Sequence, residues 1–180
     1  MKKIFSFIWE ILKVVIVALV IVIPIRYFLF QPFLVKGQSM EPNFENGDYL
    51  IIDELSYRLR EPQRGEVIVF KYPLDPSQRF IKRIIGLPGE ELEIKDGKIF
   101  IVKNGKKETL EEKYLPSSIS TVGDIQMTLA GNEYFVMGDN RNFSFDSRKF
   151  GVLSREKIIG RVLLRAWPFT TFAKIEAPAY

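Results

Sequence analysis

The sequence predicts a mostly β fold of coiled antiparallel sheets in a barrel-like arrangement, preceded by one N-terminal transmembrane helix. From about residue 31 onward, apolar and polar residues alternate in short runs, such as YLIID from Tyr49 and EVIVFKY from Glu66. Alternation with period two is typical of half-buried strands. Asp96-Gly97 separates two such runs, and this dipeptide is a strong hairpin signal. Outside the N-terminal segment, no long stretch shows the 3.6-residue period of a helix.

Residues 1–30 are predicted to form the membrane anchor. Their core, VVIVALVIVIPI, carries no charge, and with its flanks it gives roughly 20–25 largely apolar residues, enough to cross a bilayer. A cleavable secretory signal is the alternative, but bulky residues (YFLFQPFLV) stand where a small-residue cleavage site would be needed. Lys2, Lys3 and Lys13 precede the core, which favours a cytoplasmic N-terminus in the plasma membrane.

Residues 31–180 are predicted to form one extracytoplasmic, β-rich domain. Asn104-Gly105 predicts a second turn between strands. The segment 108–132 is polar and poorly patterned, and is interpreted as a small cap or insertion.

Two absences in the composition limit the possible chemistry. The chain has no cysteine and no histidine, so thiolate nucleophiles, Ser-His-Asp triads and zinc sites built on imidazole or thiolate are all excluded. Proton transfer near neutral pH would need a perturbed Lys, Asp, Glu or Tyr. The net charge of +4 is scattered along the chain, which favours contact with an acidic lipid surface over nucleic-acid binding.

Ser39 is a candidate nucleophile in the segment GQSMEPNF. Gly37 permits unusual backbone dihedrals and Pro42 stiffens the end of the turn, and a nucleophile benefits from a rigid turn whose N–H groups face the reacting carbonyl. An ordinary surface serine is the alternative interpretation of this residue.

Lys82 is a candidate general base. On a strand Phe80, Lys82 and Ile84 share one face, so the lysine is a candidate for burial, whereas Arg83 on the opposite face is interpreted as a surface charge. Burial can lower a lysine pKa by several units and make the neutral amine available as a base. A solvated lysine on an edge strand is the alternative.

A third segment, MGDNRNFSFDSR, concentrates acids and arginines between apolar strands. Side chains at this density favour internal pairing, which makes a loop rigid enough to support a catalytic site. Asp139 and Asp146 are conceivable metal ligands, but no recognised ligand spacing is present, and no metal or cofactor is predicted.

Taken together and in order, the three segments resemble the type I signal peptidases of bacteria. The matching elements are Ser39-Met40-Glu41-Pro42, then Lys82-Arg83 before Gly86-Leu87-Pro88-Gly89, then Gly138 through Arg148. The resemblance implies a membrane-bound serine endopeptidase that removes leader peptides from secreted preproteins after an Ala-x-Ala-type site. Its partners would be membrane-bound preproteins and the lipid bilayer.

The resemblance also implies residue roles. Ser39 would attack the scissile carbonyl and form an acyl-enzyme, Lys82 would be the base, and Ser144 would orient the lysine amine by a hydrogen bond. The Ser39 N–H would donate to the oxyanion, with Gly37 at a position where some relatives carry a hydroxyl, and Met40 would line the substrate pocket. The supporting residues are Asp139, Asn140, Arg141, and the ion pair of Asp146 and Arg148. Asn43 replaces the usual threonine, with little expected effect.

Three other classes of protein share some of these features. Self-cleaving repressors share a serine–lysine dyad, but they carry a DNA-binding N-terminus where this chain has an apolar segment. A signal peptidase of the endoplasmic reticulum type needs a histidine. A membrane-tethered, non-catalytic β-barrel scaffold explains the anchor and the strands, but gives no reason for the three ordered segments.

Overall fold

A computed structural model describes residues 2–28, 30–103, 105–178 and 180 of the chain. Asn104 of the predicted Asn-Gly turn lies outside this range. The described residues form helices α1 (Lys2–Phe28), α2 (Ser56–Leu59) and α3 (Ser147–Phe150), and strands β1 (Phe30–Leu34), β2 (Tyr49–Asp53), β3 (Val67–Lys71), β4 (Arg79–Gly86), β5 (Glu91–Lys95), β6 (Lys98–Lys103), β7 (Lys106–Thr109), β8 (Ile125–Thr128), β9 (Glu133–Met137), β10 (Leu153–Ser154), β11 (Ile158–Trp167) and β12 (Ala173–Lys174).

The strands form two antiparallel sheets, which confirms the mostly β prediction. The larger sheet has the order β1-β2-β11-β3-β4-β9-β10, with β12 also paired to β11, and the smaller one has the order β7-β6-β5-β8. Within the described residues β1 and β10 remain separate edges, so the larger sheet is open and the barrel-like closure is not found. The long strand β11 shifts register against β2 between Val162 and Leu164, and against β3 between Ile158 and Gly160. Such irregularities bend a strand locally and increase its twist.

The smaller sheet contains the predicted hairpin. Lys95 and Lys98 face each other across the turn, and Asp96 and Gly97 both have positive φ angles, 50° and 76°. Positive φ at both central residues is the requirement of a type I′ turn, which matches the twist of the flanking strands. Strand β8 comes from the polar segment 108–132 and pairs with β5.

Three clusters of buried apolar side chains hold the layers together. The first brings Met40 and Phe44 onto Leu50, Ile52 and Val69. The segment after β1, which contains Met40 and Phe44, therefore packs against the larger sheet. This packing fixes the position of the turn that contains Ser39.

The N-terminal helix α1 extends from Lys2 to Phe28. Within the described residues, no helix has both the length and the apolar stretch needed to cross a membrane. The prediction of a single transmembrane helix over residues 1–30 is therefore not confirmed.

Candidate active site

The turn around Ser39 is held by its own backbone and by the core. Gly37 has φ of +89° and donates its N–H to Asn46 Oδ1 at 2.9 Å, a backbone geometry that favours glycine. Phe44 N–H donates to the Met40 carbonyl at 2.9 Å, and both side chains are buried. These contacts make the turn rigid. Ser39 itself is half-buried, so its hydroxyl lies near the protein surface.

Lys82 lies on β4 and is only 4% exposed. Its Nζ is 2.8 Å from Ser39 Oγ and also donates to the Ile81 carbonyl at 2.8 Å. Burial lowers the pKa of Lys82 to about 8, although the charges of Asp146 and Asp139 act in the opposite direction. Ser39 and Lys82, 43 residues apart in sequence, are therefore in direct contact with the lysine in a dry environment.

The third segment supports the turn that contains Ser39. Asn140 donates its backbone N–H to the Ser39 carbonyl at 3.1 Å and its side-chain amide to the Gln38 carbonyl at 3.0 Å. Because both acceptors flank the Ser39 hydroxyl in the chain, Asn140 fixes the direction in which that hydroxyl points.

Asp146 and Arg148 form the expected ion pair. Arg148 donates through Nε to Asp146 Oδ1 at 2.9 Å and through a second nitrogen to Oδ2 at 2.8 Å. Burial of Asp146 opposes its ionisation, but the hydrogen bond and charge of Arg148 hold its pKa below the ordinary value. Asp146 also accepts the Gly138 N–H at 3.1 Å. The ion pair therefore lies where the two ends of the loop, Gly138 and Asp146, are in contact.

Arg83 corrects one prediction, because it is not a surface charge. It is 4% exposed, and it donates to Asp139 through Nε at 2.8 Å and through a second nitrogen at 2.6 Å. The ring of Tyr114 lies 4.0 Å from its guanidinium carbon, so the face of β4 opposite Lys82 is also covered. Asp139, considered above as a metal ligand, is therefore occupied by an arginine.

Asn43 also has a larger structural role than its sequence position suggested. Its side-chain amide donates to Asp139 Oδ2 at 2.9 Å and to the Tyr114 carbonyl at 3.0 Å. The Ser39 turn is thus linked through Asn43 to the Arg83–Asp139 pair. The run FIKRII, with a charged residue on each face among apolar neighbours, was the sequence signal that both charges are buried.

Arg141 ties the loop to the polar segment 108–132. Its guanidinium pairs with Glu112, hydrogen-bonds Thr121 and Tyr114, and donates through Nε to the Gly138 carbonyl at 3.1 Å. Sequence reasoning did not identify Glu112 or Tyr114, because a segment without regular patterning gives no indication of what it packs against.

Two expected contacts are not formed. Ser144 Oγ is buried but makes no hydrogen bond to Lys82, whose amine contacts Ser39 Oγ and the Ile81 carbonyl among the described residues. Met40 packs into the core and is absent from the residues lining the cleft at Ser39. Ser144 therefore does not bond the lysine here, and Met40 supports the turn from below instead of lining a pocket.

A cleft with a volume of about 710 Å³ opens directly onto Ser39 and Lys82. One wall carries Phe33 and Leu34, and the other carries Phe143 and Phe145. A second cleft of about 710 Å³ lies beside Arg64, Glu90 and Tyr180 and contains no serine. Across the described residues, no group of three or more acidic side chains is placed to hold a metal ion.

Gly138 is tightly enclosed, and this gives a test of the loop. A Cβ at this position would lie 2.3 Å from both Ser144 Oγ and the Ser39 carbonyl oxygen, so Gly138→Ala must displace the turn. We expect it to destabilise the protein by about 1–3 kcal/mol and to lower kcat by roughly 100-fold, measured by thermal melting and by peptide cleavage. Gly131→Ala is the matched control, because nothing lies within 4 Å of its Cβ position. Equal behaviour of the two variants would contradict this account of the loop.

A family model and known protein sequences agree on one family. A family model described as signal peptidase, peptidase S26, matches residues 8–167. A probable signal peptidase I-2 from Synechocystis sp. is 40% identical, over 88% of this chain and 73% of its own length. A signal peptidase I from Bacillus caldolyticus is 36% identical, over 87% of this chain and 90% of its own length. The crystal structure of a signal peptidase I from Enterococcus faecalis superposes with a TM-score of 0.49 at 34% identity, covering 57% of this chain and 97% of that one.

Proposed function

The chain belongs to the signal peptidase S26 family, and from this premise we propose that it is a serine endopeptidase that removes leader peptides from secreted preproteins. Ser39 is the nucleophile and Lys82 is the general base. The observation that carries the proposal is the distance of 2.8 Å between Lys82 Nζ and Ser39 Oγ, with the lysine buried.

A lysine acts as a base only when it is neutral. With the pKa of Lys82 near 8, about a fifth of the enzyme carries the neutral amine slightly above pH 7, against roughly one part in a thousand for a free lysine. In that form Ser39 Oγ–H donates to Nζ, and the amine accepts the proton as Oγ attacks the scissile carbonyl.

The remaining steps follow from the same contact. Lys82, now protonated, delivers its proton to the leaving amine, which gives an acyl-enzyme on Ser39 and frees the mature protein. The neutral amine then activates a water molecule that hydrolyses the ester. Within the described residues the Ser39 N–H has no hydrogen-bond partner, so it is available to the oxyanion.

The proposed substrates carry small residues, typically alanine, one and three positions before the cut. A shallow apolar site accepts alanine and excludes larger side chains by steric clash. The aliphatic and aromatic walls of the cleft, including Phe33 and Ile81, provide such a surface beside Ser39.

We place the enzyme at the plasma membrane with its β-rich domain on the extracytoplasmic side. Large apolar side chains between Ile4 and Val22 of α1 are exposed, an arrangement that favours an apolar environment over water. A second exposed surface crosses three strands, where Leu34 pairs with Tyr49 and Tyr49 with Trp167. Aromatic side chains of this kind are enriched at membrane interfaces. An enzyme held at the bilayer meets membrane-bound preproteins at raised effective concentration.

The pH dependence of cleavage tests the proposed base. Because the neutral amine is the active form, kcat/KM for an Ala-x-Ala preprotein should rise with pH, with a midpoint near the pKa of about 8, and then level off. The control substrate has phenylalanine one position before the cut and should resist cleavage throughout. A rate that is flat from about pH 6 to about pH 10 would refute the role of Lys82.

A further inference from the structure

The ionisable side chains that line the active-site cleft are all basic. Besides Lys82, they are Lys36 and Arg79, and within the described residues none of the lining residues is acidic. The side chains of Lys36 and Arg79 are exposed, whereas that of Lys82 is buried. Among the residues that the structure describes, neither Lys36 nor Arg79 has an acidic partner within 4 Å, and the Arg79 side chain donates a hydrogen bond of 3.1 Å to the neutral Gln31.

The two cations line the same cleft as Ser39 and Lys82. Lys36 precedes Ser39 by three residues, and Arg79 precedes Lys82 by three. Three residues of strand span about 10 Å, which places the Arg79 charge several residues of extended peptide away from the scissile bond, on the side toward the start of β4.

Two acidic residues lie near this rim without lining the cleft. Glu54 is half-buried, and the charge of Arg79 acts on its carboxylate. Asp75 accepts hydrogen bonds from Ser77 and from Gln78. These carboxylates moderate the positive potential of the rim, but neither is among the residues that line the cleft.

Resting on the proposed function, we infer that Lys36 and Arg79 select substrates by charge. They favour a preprotein with an acidic side chain on one side of the cleavage site, within about four residues of it, and disfavour a basic one. An acidic side chain there would be attracted by both cations, whereas a basic one would be repelled.

The test uses the full chain in uncharged detergent without lipid, so that no anionic headgroup competes. The substrates are peptides whose fluorescence is quenched until they are cleaved. Each keeps alanine one and three positions before the cut and carries Glu, Gln or Lys at one of the other positions within about four residues of it. We expect Glu to exceed Lys in kcat/KM by about tenfold at the sensitive positions, on one side of the cut, mainly through KM. The preference should shrink at about 1 M salt, where the screening length falls to about 3 Å.

The charge-reversal variant Lys36→Glu/Arg79→Glu should invert the Glu-to-Lys ratio. The matched control is Lys95→Glu/Lys98→Glu, which makes the same change in net charge on exposed residues of the smaller sheet and should keep the wild-type ratio. Equal rates for all three peptides, a preference equal on both sides of the cut, or a ratio unchanged by reversal would each overturn the inference. If the Gln peptide is not cleaved at all, the proposed function itself fails, which is a separate result.

Discussion

Replacing either Ser39 or Lys82 by alanine is expected to lower kcat for an Ala-x-Ala preprotein by at least about 1,000-fold. Without Ser39 Oγ no acyl-enzyme can form. Without the lysine amine, the hydroxyl 2.8 Å away loses the group that accepts its proton. Because the two side chains act in one step, the double variant should be about as inactive as either single one.

Structural controls separate this effect from loss of the fold. Lys82→Ala removes a buried amine whose pKa is already depressed, so the thermal midpoint should not collapse. Lys71→Ala and Ser118→Ala replace exposed residues and should retain normal turnover. Normal turnover by folded Lys82→Ala would end the dyad mechanism. If the wild-type protein binds preproteins but does not cleave them, the non-catalytic scaffold is favoured instead.

The proximity of Ser39 and Lys82 could be predicted because the three ordered segments resemble a family in which these two positions act together, and the structure places the two side chains 2.8 Å apart. Taken singly, the lysine between Phe80 and Ile84 and the serine in a glycine-proline turn each had an ordinary alternative, a solvated lysine and a surface serine. The strand pattern placed Arg83 in solvent, since period-two alternation assumes that one face of a strand is wet. That assumption fails at β4, whose second face is covered by Tyr114.

The support beneath the site was harder to predict because it depends on contacts distant in sequence. Tyr114 and Glu112 come from a polar segment without periodicity, yet they contact Arg83 and Arg141. The Asp96-Gly97 hairpin, in contrast, is a local feature set by backbone dihedrals, and it formed as predicted. Closure of the larger sheet is a global property that strand patterning does not determine.

The Arg83–Asp139 pair joins the strand that carries Lys82 to the loop that begins at Gly138, and its loss should have the largest effect on stability. Arg83→Met leaves the Asp139 carboxylate buried without its cation, and breaking one side of such a pair costs about 3–5 kcal/mol. For a chain of this size that corresponds to a fall of roughly 6–20 °C in the thermal midpoint. Cleavage should also fall, because Asp139 accepts the Asn43 amide that links it to the Ser39 turn.

A double variant identifies the cause of that loss. Arg83→Met/Asp139→Asn removes both charges, so it should be more stable than Arg83→Met alone, since the penalty arises mainly from the uncompensated carboxylate. Lys113→Ala breaks an exposed pair with Glu111 at 3.5 Å and should leave the thermal midpoint unchanged. If Arg83→Met melts within about 1 °C of the wild type, the pair is not what stabilises the loop. The rigidity of the Ser39 turn would then depend on Asn140 and the Asp146–Arg148 pair.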